Sequence, residues 1–289
     1  MNRHVKSPLI SILCLLLIFS ATHLASAKKD NHKTRIISAG GSITEILFAL
    51  GLGDHLVGVD TSSLYPEAAI MLPKVGYFRS MGAEGLMSLK PDIIIAAKGA
   101  GPSAALKQVN MLGVEVRTYN QDTYTVDVWK ELITDLGNDY SKTSEANKLI
   151  KKVTQGLRSQ DKLRRFKDKQ LNAVALLSIG QRGPVAAGKN TVPNLLLTLA
   201  GINNLADALD GYKPFSSELL ATQKLDLILI PSHVIAGLGG KQAVCQNQII
   251  KLAMPKSCNI YLMDPLLLMG FGTRLDQAVG QIIEQANQL

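Results

Sequence analysis

The sequence predicts an α/β protein with two lobes, each built on a central parallel β-sheet, joined by one long helix. Short runs rich in Ile, Val and Leu alternate with helical patterns in both halves of the 289-residue chain. Such alternation is typical of βαβ units. We therefore predict an N-terminal lobe at 34–138, a connecting helix at 139–168 and a C-terminal lobe at 169–289.

The first lobe is predicted to contain four short strands separated by helices. The strands are Arg35–Ser38, Leu56–Val59, Ile93–Ala96 and Glu115–Thr118, and the helices are Ser42–Leu50, Ala83–Ser88, Ala104–Leu112 and Val126–Leu136. Ser42 and Glu45 have the spacing of a capping box at the start of the first helix. Two glycines before Ser42 would leave backbone that a flat ligand can approach closely.

The connecting helix is predicted from an uninterrupted amphipathic pattern. Ser144–Phe166 contains no proline and a single glycine, and its apolar residues recur mostly every three or four positions. At 1.5 Å per residue this segment would be about 34 Å long, which suits a rigid strut between lobes. The second lobe follows with predicted strands at Leu171–Leu177, Leu227–Ile230 and Ile260–Met263.

Residues 1–27 are predicted to be a cleavable signal peptide. Arg3 and Lys6 precede an apolar run at Leu9–Phe19, and Ala25–Ala27 supplies a small-residue cleavage site. The run is too short to span a bilayer. We therefore expect an exported protein without a lipid anchor. The net charge of +8 comes from dispersed basic residues, and we find no nucleic-acid-binding motif.

Tyr77 and Arg79 lie on a short predicted loop just before the helix at Ala83–Ser88. Phenolate is a hard anionic ligand, and tyrosine is an axial ligand of iron in some haem proteins. A nearby guanidinium favours the ionised phenol. The pair therefore predicts a ferric-iron-binding site. The alternatives are a tyrosine that serves packing and an arginine in a surface salt bridge.

Glu84 and Glu218 occupy matching positions in the two predicted lobes. Each lies near a helix start and eight residues before an aspartate, Asp92 or Asp226, that leads into a hydrophobic strand. Acidic residues at a helix start also interact favourably with the helix dipole. The repetition indicates a pseudo-symmetric pair of surface carboxylates.

Several segments together resemble one family, the periplasmic haem-binding proteins of ABC importers, which have the helical-backbone, class III fold. These segments are Ser38–Glu45, Tyr65–Ala68, the Tyr77 loop, Ala186–Gly188, Gly211–Pro214 and Gly270–Gly272 with Arg274. The resemblance runs from about Arg35 to the C-terminus. It implies a monomer, not an enzyme, that captures haem b between its lobes without a covalent bond.

The resemblance also implies roles for individual residues. Tyr77 would be the axial ligand of the haem iron, and Arg79 would support the phenolate or pair with a haem propionate. Glu84 and Glu218 would dock onto arginines of a dimeric membrane permease. Ser42, Phe271 and Gly272 are expected at the haem, with a core position as the alternative for Phe271, and Arg182 and Lys189 could reach the propionates. His233 is expected to be a polar loop residue, with a second axial ligand of the iron as the alternative.

The two cysteines outside the predicted signal peptide, Cys245 and Cys258, are expected to form a disulfide in an oxidising compartment. Two unpaired thiols are the alternative. Neither cysteine begins a C-x-x-C-H pattern, so covalent haem attachment is excluded.

Other functions stay open to different degrees. A protein of the same fold that binds a ferric siderophore or cobalamin is the main alternative. An exported enzyme is disfavoured, because we find no nucleophile elbow, metalloprotease helix or paired catalytic carboxylates. A zinc or manganese site is disfavoured because only His32, His55 and His233 follow the predicted signal peptide.

Overall fold

The computed structural model describes residues 33–180, 183–222, 224–255 and 257–289. The predicted signal peptide lies outside these residues. Among them, no helix is both long and apolar enough to cross a membrane. Residues 34–289 form one compact unit, so the domain boundaries predicted within it stay a prediction.

The first sheet is fully parallel, with strand order β2-β1-β3-β4. The strands are β1 (Ile36–Ala39), β2 (Leu56–Val59), β3 (Ile93–Ala97) and β4 (Glu115–Tyr119). Around them lie α1 (Gly41–Ala49), α2 (Glu67–Ile70), α3 (Ala83–Ser88), α4 (Ser103–Met111) and α5 (Val126–Asp139). The predicted strands agree with these to within one residue at each end, because buried β-branched runs are strong strand signals. We call this sheet and its helices the first lobe.

The second sheet is mixed rather than parallel, which corrects the prediction. Its strands are β5 (Asn172–Gly180), β6 (Gly183–Ala187), β7 (Asn203–Asn204), β8 (Tyr212–Pro214), β9 (Leu227–Pro231) and β10 (Ile260–Met263). Four of them, in the order β7-β5-β9-β10, are parallel and repeat the first sheet. β6 and β8 add an antiparallel extension. β6 follows β5 too closely for a parallel crossover, which needs a dozen or more residues.

The second lobe consists of this sheet and the helices that follow its strands. They are α7 (Val192–Ala200), α8 (Ser217–Thr222), α9 (Ser232–Ala236), α10 (Gly240–Gln246), α11 (Gln248–Ala253), α12 (Pro265–Met269) and α13 (Leu275–Ala286). Cys245 and Cys258 are bonded in the structure, with Cα atoms 5.8 Å apart. The bond ties α10 to the segment that leads into β10.

Two aspartates show that the lobes are equivalent. Asp92, before β3, accepts a hydrogen bond from the backbone N–H of Arg35 at 2.7 Å. Asp226, before β9, accepts one from the backbone N–H of Asn172 at 2.9 Å. Each aspartate thus joins the entry of one strand to the entry of its parallel neighbour, β1 or β5.

The long helix α6 (Thr143–Leu163) packs against α5 of the first lobe and α13 of the second. The sequence predicted this helix at Ser144–Phe166, which begins one residue later and ends three residues later than the helix in the structure. One hydrophobic core runs from the first sheet through the buried side of α6 to the second sheet. Gly156 allows close contact with α13, since a Cβ there would lie 2.7 Å from the Cβ of Asp276.

Candidate ligand-binding site

A cleft of about 690 Å³ lies between the two lobes. It forms beyond the carboxyl ends of the parallel strands, where ligand crevices of α/β sheets are found. Segments that follow β1, β2, β3, β4, β9 and β10 all contribute to its walls. Most of the lining is apolar, which suits a large hydrophobic ligand held by a few polar groups.

Tyr77 and Arg79 both line the cleft. They lie on a loop before α3, as the sequence predicted. The loop is held by backbone hydrogen bonds, including Ser80 N–H to the Tyr77 carbonyl at 2.8 Å. The Tyr77 ring contacts Phe78 edge-on, with centroids 4.9 Å apart, and 47% of Tyr77 is exposed. The Arg79 guanidinium lies 5.1 Å from the centre of the same Phe78 ring.

The Tyr77 hydroxyl has no hydrogen-bond partner, and Arg79 has no ion pair, within the part of the chain that the structure describes. A phenol and a cation thus face the same cavity with their binding capacity unused. This arrangement can accept an iron atom at the phenol oxygen and an acidic group at the guanidinium.

Ser42 lines the cleft, but the predicted capping box is wrong. Helix α1 begins at Gly41 with Gly40 as N-cap, and no side chain caps it. Glu45 is therefore too far along the helix to reach the N-cap. The turn is instead held by the buried Asp60, whose carboxylate accepts the Gly40 N–H at 2.9 Å and the Ser63 hydroxyl at 2.7 Å.

Glu45 binds the second lobe instead of its own helix. Its Oε1 accepts hydrogen bonds from Nε and Nη2 of Arg274 at 3.0 and 2.5 Å. Its Oε2 accepts from the backbone N–H and the hydroxyl of Thr273, both at 3.0 Å. The ring of Tyr65, also from the first lobe, lies 3.9 Å from the Arg274 guanidinium carbon. Arg274 is thus held between two first-lobe side chains.

Phe271 forms part of the cleft wall and packs edge-on against Tyr124, with centroids 5.0 Å apart. Gly272 does not line the cleft, in contrast to its predicted place at the ligand. Its carbonyl accepts the indole N–H of the buried Trp129 at 2.7 Å. A Cβ at Gly272 would lie 2.6 Å from Glu45 Oε2. Gly272 therefore supports the wall from behind.

His233 lines the cleft from α9, whereas Lys189 is exposed and lies outside the lining. Arg182 lies outside the described residues. The cleft residues that were not predicted include Lys98, Tyr124 and Tyr212. Lys98 directly follows β3, so its place at a strand's carboxyl end was a signal that could have identified it.

Glu84 and Glu218 lie outside the cleft and occupy equivalent places on the two lobes. Each is the second residue of a six-residue helix, α3 or α8, and each is exposed. Their side chains are thus available to a partner without contacting a ligand in the cleft. Within the described ranges, no group of three His, Cys, Asp or Glu side chains is arranged to hold a metal ion.

The sequence and the fold both match known proteins. A family profile described as "Periplasmic binding protein" matches residues 36–254. The chain belongs to the periplasmic binding protein family. Its α/β architecture is the class III fold of that family, which confirms the predicted fold class. Members of the family are solute-binding proteins, and the chain is a periplasmic substrate-binding protein of an ABC importer.

Among solved structures, this periplasmic binding protein is similar to two haem-binding proteins. The periplasmic heme-binding protein RhuT from Roseiflexus sp. RS-1 is 30% identical, with a TM-score of 0.81 over 88% of this chain and 97% of that one. The periplasmic heme-binding protein HutB of Vibrio cholerae is 30% identical, with a TM-score of 0.79 over 88% and 99%.

A relative with a different ligand is equally similar in sequence. The vitamin B12-binding protein of Yersinia pestis (strain Pestoides F) is 30% identical over 226 residues, which cover 77% of this chain and 76% of that protein. The family match therefore establishes the class of protein, and the choice of ligand depends on the cleft.

Proposed function

We propose that this protein captures ferric haem in the cleft, with the phenolate of Tyr77 as the iron ligand, and delivers it to a membrane permease. The observation that carries the proposal is the pair formed by Tyr77 and Arg79. Among the residues that the structure describes, the Tyr77 phenol has no hydrogen-bond partner and the nearby Arg79 guanidinium has no ion pair, and both line a largely apolar cleft. An anionic oxygen ligand stabilises Fe(III), and the cation favours the ionised phenol.

The rest of the cleft supports a flat, hydrophobic ligand. Phe271 and Tyr124 offer aromatic surface on one wall, and Ser42 lies where α1 begins. His233 reaches the cleft from the second lobe and is a candidate second ligand of the iron. The similarity in fold and in sequence to two haem-binding proteins also supports the proposal.

Delivery would use Glu84 and Glu218. They are exposed, equivalent by pseudo-symmetry and outside the cleft. A permease dimer that presents arginines could contact one glutamate per lobe, with charge complementarity setting the register of the complex. We propose that the protein acts as a monomer in this complex and that a cleaved signal peptide directs its export.

Cobalamin is the second candidate ligand, favoured by the similarity to the vitamin B12-binding protein. A titration with hemin and, separately, with cyanocobalamin distinguishes the two. We expect a saturable visible spectrum with hemin, with the charge-transfer bands of a high-spin tyrosinate complex. Binding of cyanocobalamin but not hemin would overturn the haem proposal.

The ligand assignment is tested with Tyr77→Phe, which removes the phenol oxygen but keeps the ring. The variant should lose the tyrosinate bands. Tyr124→Phe is the matched control, because it removes another hydroxyl from the same cleft. An unchanged spectrum for Tyr77→Phe, or loss of the bands only in the control, would show that Tyr77 does not bind the iron.

A further inference from the structure

The positive charges of the cleft are concentrated on one wall. Arg79 and Lys98 both line it, and the Arg79 guanidinium carbon would lie 3.9 Å from a Cβ at Gly99, the residue after Lys98. None of the described residues that line the cleft is Asp or Glu. Other lining residues are apolar and include Leu266, Met269 and Phe271. The cleft therefore combines a cationic patch with a largely apolar lining.

Lys98 already holds a carboxylate. Its ammonium group donates to Oδ1 of Asp122 at 2.6 Å and to the carbonyl of Gln121 at 3.1 Å. The hydrogen bond that Lys98 donates to Asp122 raises the pKa of Lys98, so the lysine stays charged at neutral pH. Asp122 is 92% exposed and Lys98 47%. Exposed ion pairs contribute little to stability, so another carboxylate can replace Asp122 at low cost.

The Arg79 guanidinium is near this pair and lies over the face of Phe78. In the described part of the chain it has no acidic partner. A guanidinium binds a carboxylate through two parallel N–H groups when nothing else occupies them.

The second lobe adds a neutral donor to the same side of the cleft. Tyr212, on β8, lines the cleft, and its hydroxyl has no hydrogen-bond partner among the described residues. Partial burial, together with the neighbouring Tyr124, raises the pKa of the Tyr212 phenol. The phenol therefore keeps its proton and can donate it to an acceptor.

We propose that Lys98, Arg79 and Tyr212 form a carboxylate-binding subsite in the cleft. When no ligand is bound, the carboxylate of Asp122 forms the ion pair with Lys98. The inference rests on the proposed function and makes it more specific. Haem carries two propionate carboxylates, whereas the peripheral side chains of cobalamin end in amides. The subsite would select a macrocycle by its acidic groups, and Lys98 would exchange Asp122 for one of them.

The test compares hemin with hemin dimethyl ester, in which both carboxylates are blocked, in the same dilute detergent. A hydrogen bond to a charged group is worth a factor of about ten to a hundred in affinity. We expect the wild-type protein to prefer hemin over the ester by at least about tenfold. Lys98→Gln should reduce this preference by about tenfold. Lys107→Gln, which changes an exposed lysine of α4 outside the cleft, should leave it unchanged.

Asp122→Asn should change hemin affinity in the opposite direction to Lys98→Gln. It removes the carboxylate that competes for Lys98, so hemin should bind a few times more tightly while the affinity for the ester stays the same. The subsite is refuted if Lys98→Gln keeps the wild-type preference for hemin, or if Asp122→Asn weakens hemin binding. A wild-type protein that binds neither porphyrin would instead overturn the proposed function, and this inference with it.

Discussion

Glu45 of the first lobe binds Arg274 of the second lobe directly behind the wall of the cleft that carries Phe271. Both side chains are nearly inaccessible, at 2% and 13% exposure. Trp129, also in the first lobe, binds the carbonyl of Gly272 in the same segment. Residues 272–274 are therefore attached to the first lobe although they belong to the second. This attachment, like the continuous core around α6, resists a large separation of the lobes.

Breaking the Glu45–Arg274 pair should destabilise the protein strongly, because it leaves a buried charge without its partner. We expect Arg274→Ala to lower the free energy of unfolding by about 3–5 kcal/mol, measured by urea denaturation. Lys130→Ala, which breaks an exposed pair with Asp127, is the control and should cost about 0–1 kcal/mol. Equal losses in the two variants would mean that the inter-lobe pair contributes no more than a surface contact.

Replacing both members of the pair tests the same point independently. The double variant Glu45→Gln/Arg274→Met leaves no buried charge at this position. Its loss of stability should be smaller than the sum of the losses in Glu45→Gln alone and Arg274→Met alone, because the effects of mutations at two residues of one ion pair are not additive. Strict additivity would show that the two side chains are not energetically coupled.

Arg79→Ala should weaken hemin binding by about ten- to a hundredfold without changing the unfolding transition. The side chain is exposed and has no ion pair in the described structure, so its loss leaves no group unsatisfied. Arg165→Ala removes an exposed arginine remote from the cleft and serves as the control. A dissociation constant identical in both variants and the wild type would place Arg79 outside the binding mechanism.

The double variant Glu84→Ala/Glu218→Ala should bind hemin normally but deliver it poorly. Neither glutamate lines the cleft, and both are exposed at helix starts. The measurement is haem uptake into vesicles that contain the cognate importer. Glu131→Ala/Glu284→Ala is the control, because it removes two other exposed glutamates and so changes the net charge by the same amount. Normal uptake with the first double variant, or loss of hemin binding, would contradict a role in docking.

Gly156→Ala should destabilise the protein although alanine favours helices by about 1 kcal/mol over glycine. The added methyl group would overlap the side chain of Asp276 and push α13 away from α6. Gly85→Ala is the matched control, since a Cβ there meets no atom within 4 Å, and it should be neutral or slightly stabilising. Thermal unfolding of both variants measures the difference. A stabilised Gly156→Ala protein would show that the two helices do not depend on this close contact.

The sequence by itself determined the α/β class, most strand positions, the long helix, and the loop that carries Tyr77 and Arg79. These features depend on residue patterns within about twenty positions, where the spacing of apolar side chains directly reflects strand or helix geometry. The matching positions of Glu84 and Glu218 were visible for the same reason, since each is set by a local helix-to-strand connection.

Only the tertiary structure determined which distant residues meet. Glu45 has the spacing of a local capping residue, yet its partner is 229 positions away in Arg274. Lys98, Arg79 and Tyr212 come from three separate segments, and they line one cleft only because elements of both lobes face it. Such contacts follow from how whole sheets and helices pack, because burial and charge pairing across lobes leave no periodic trace in the sequence.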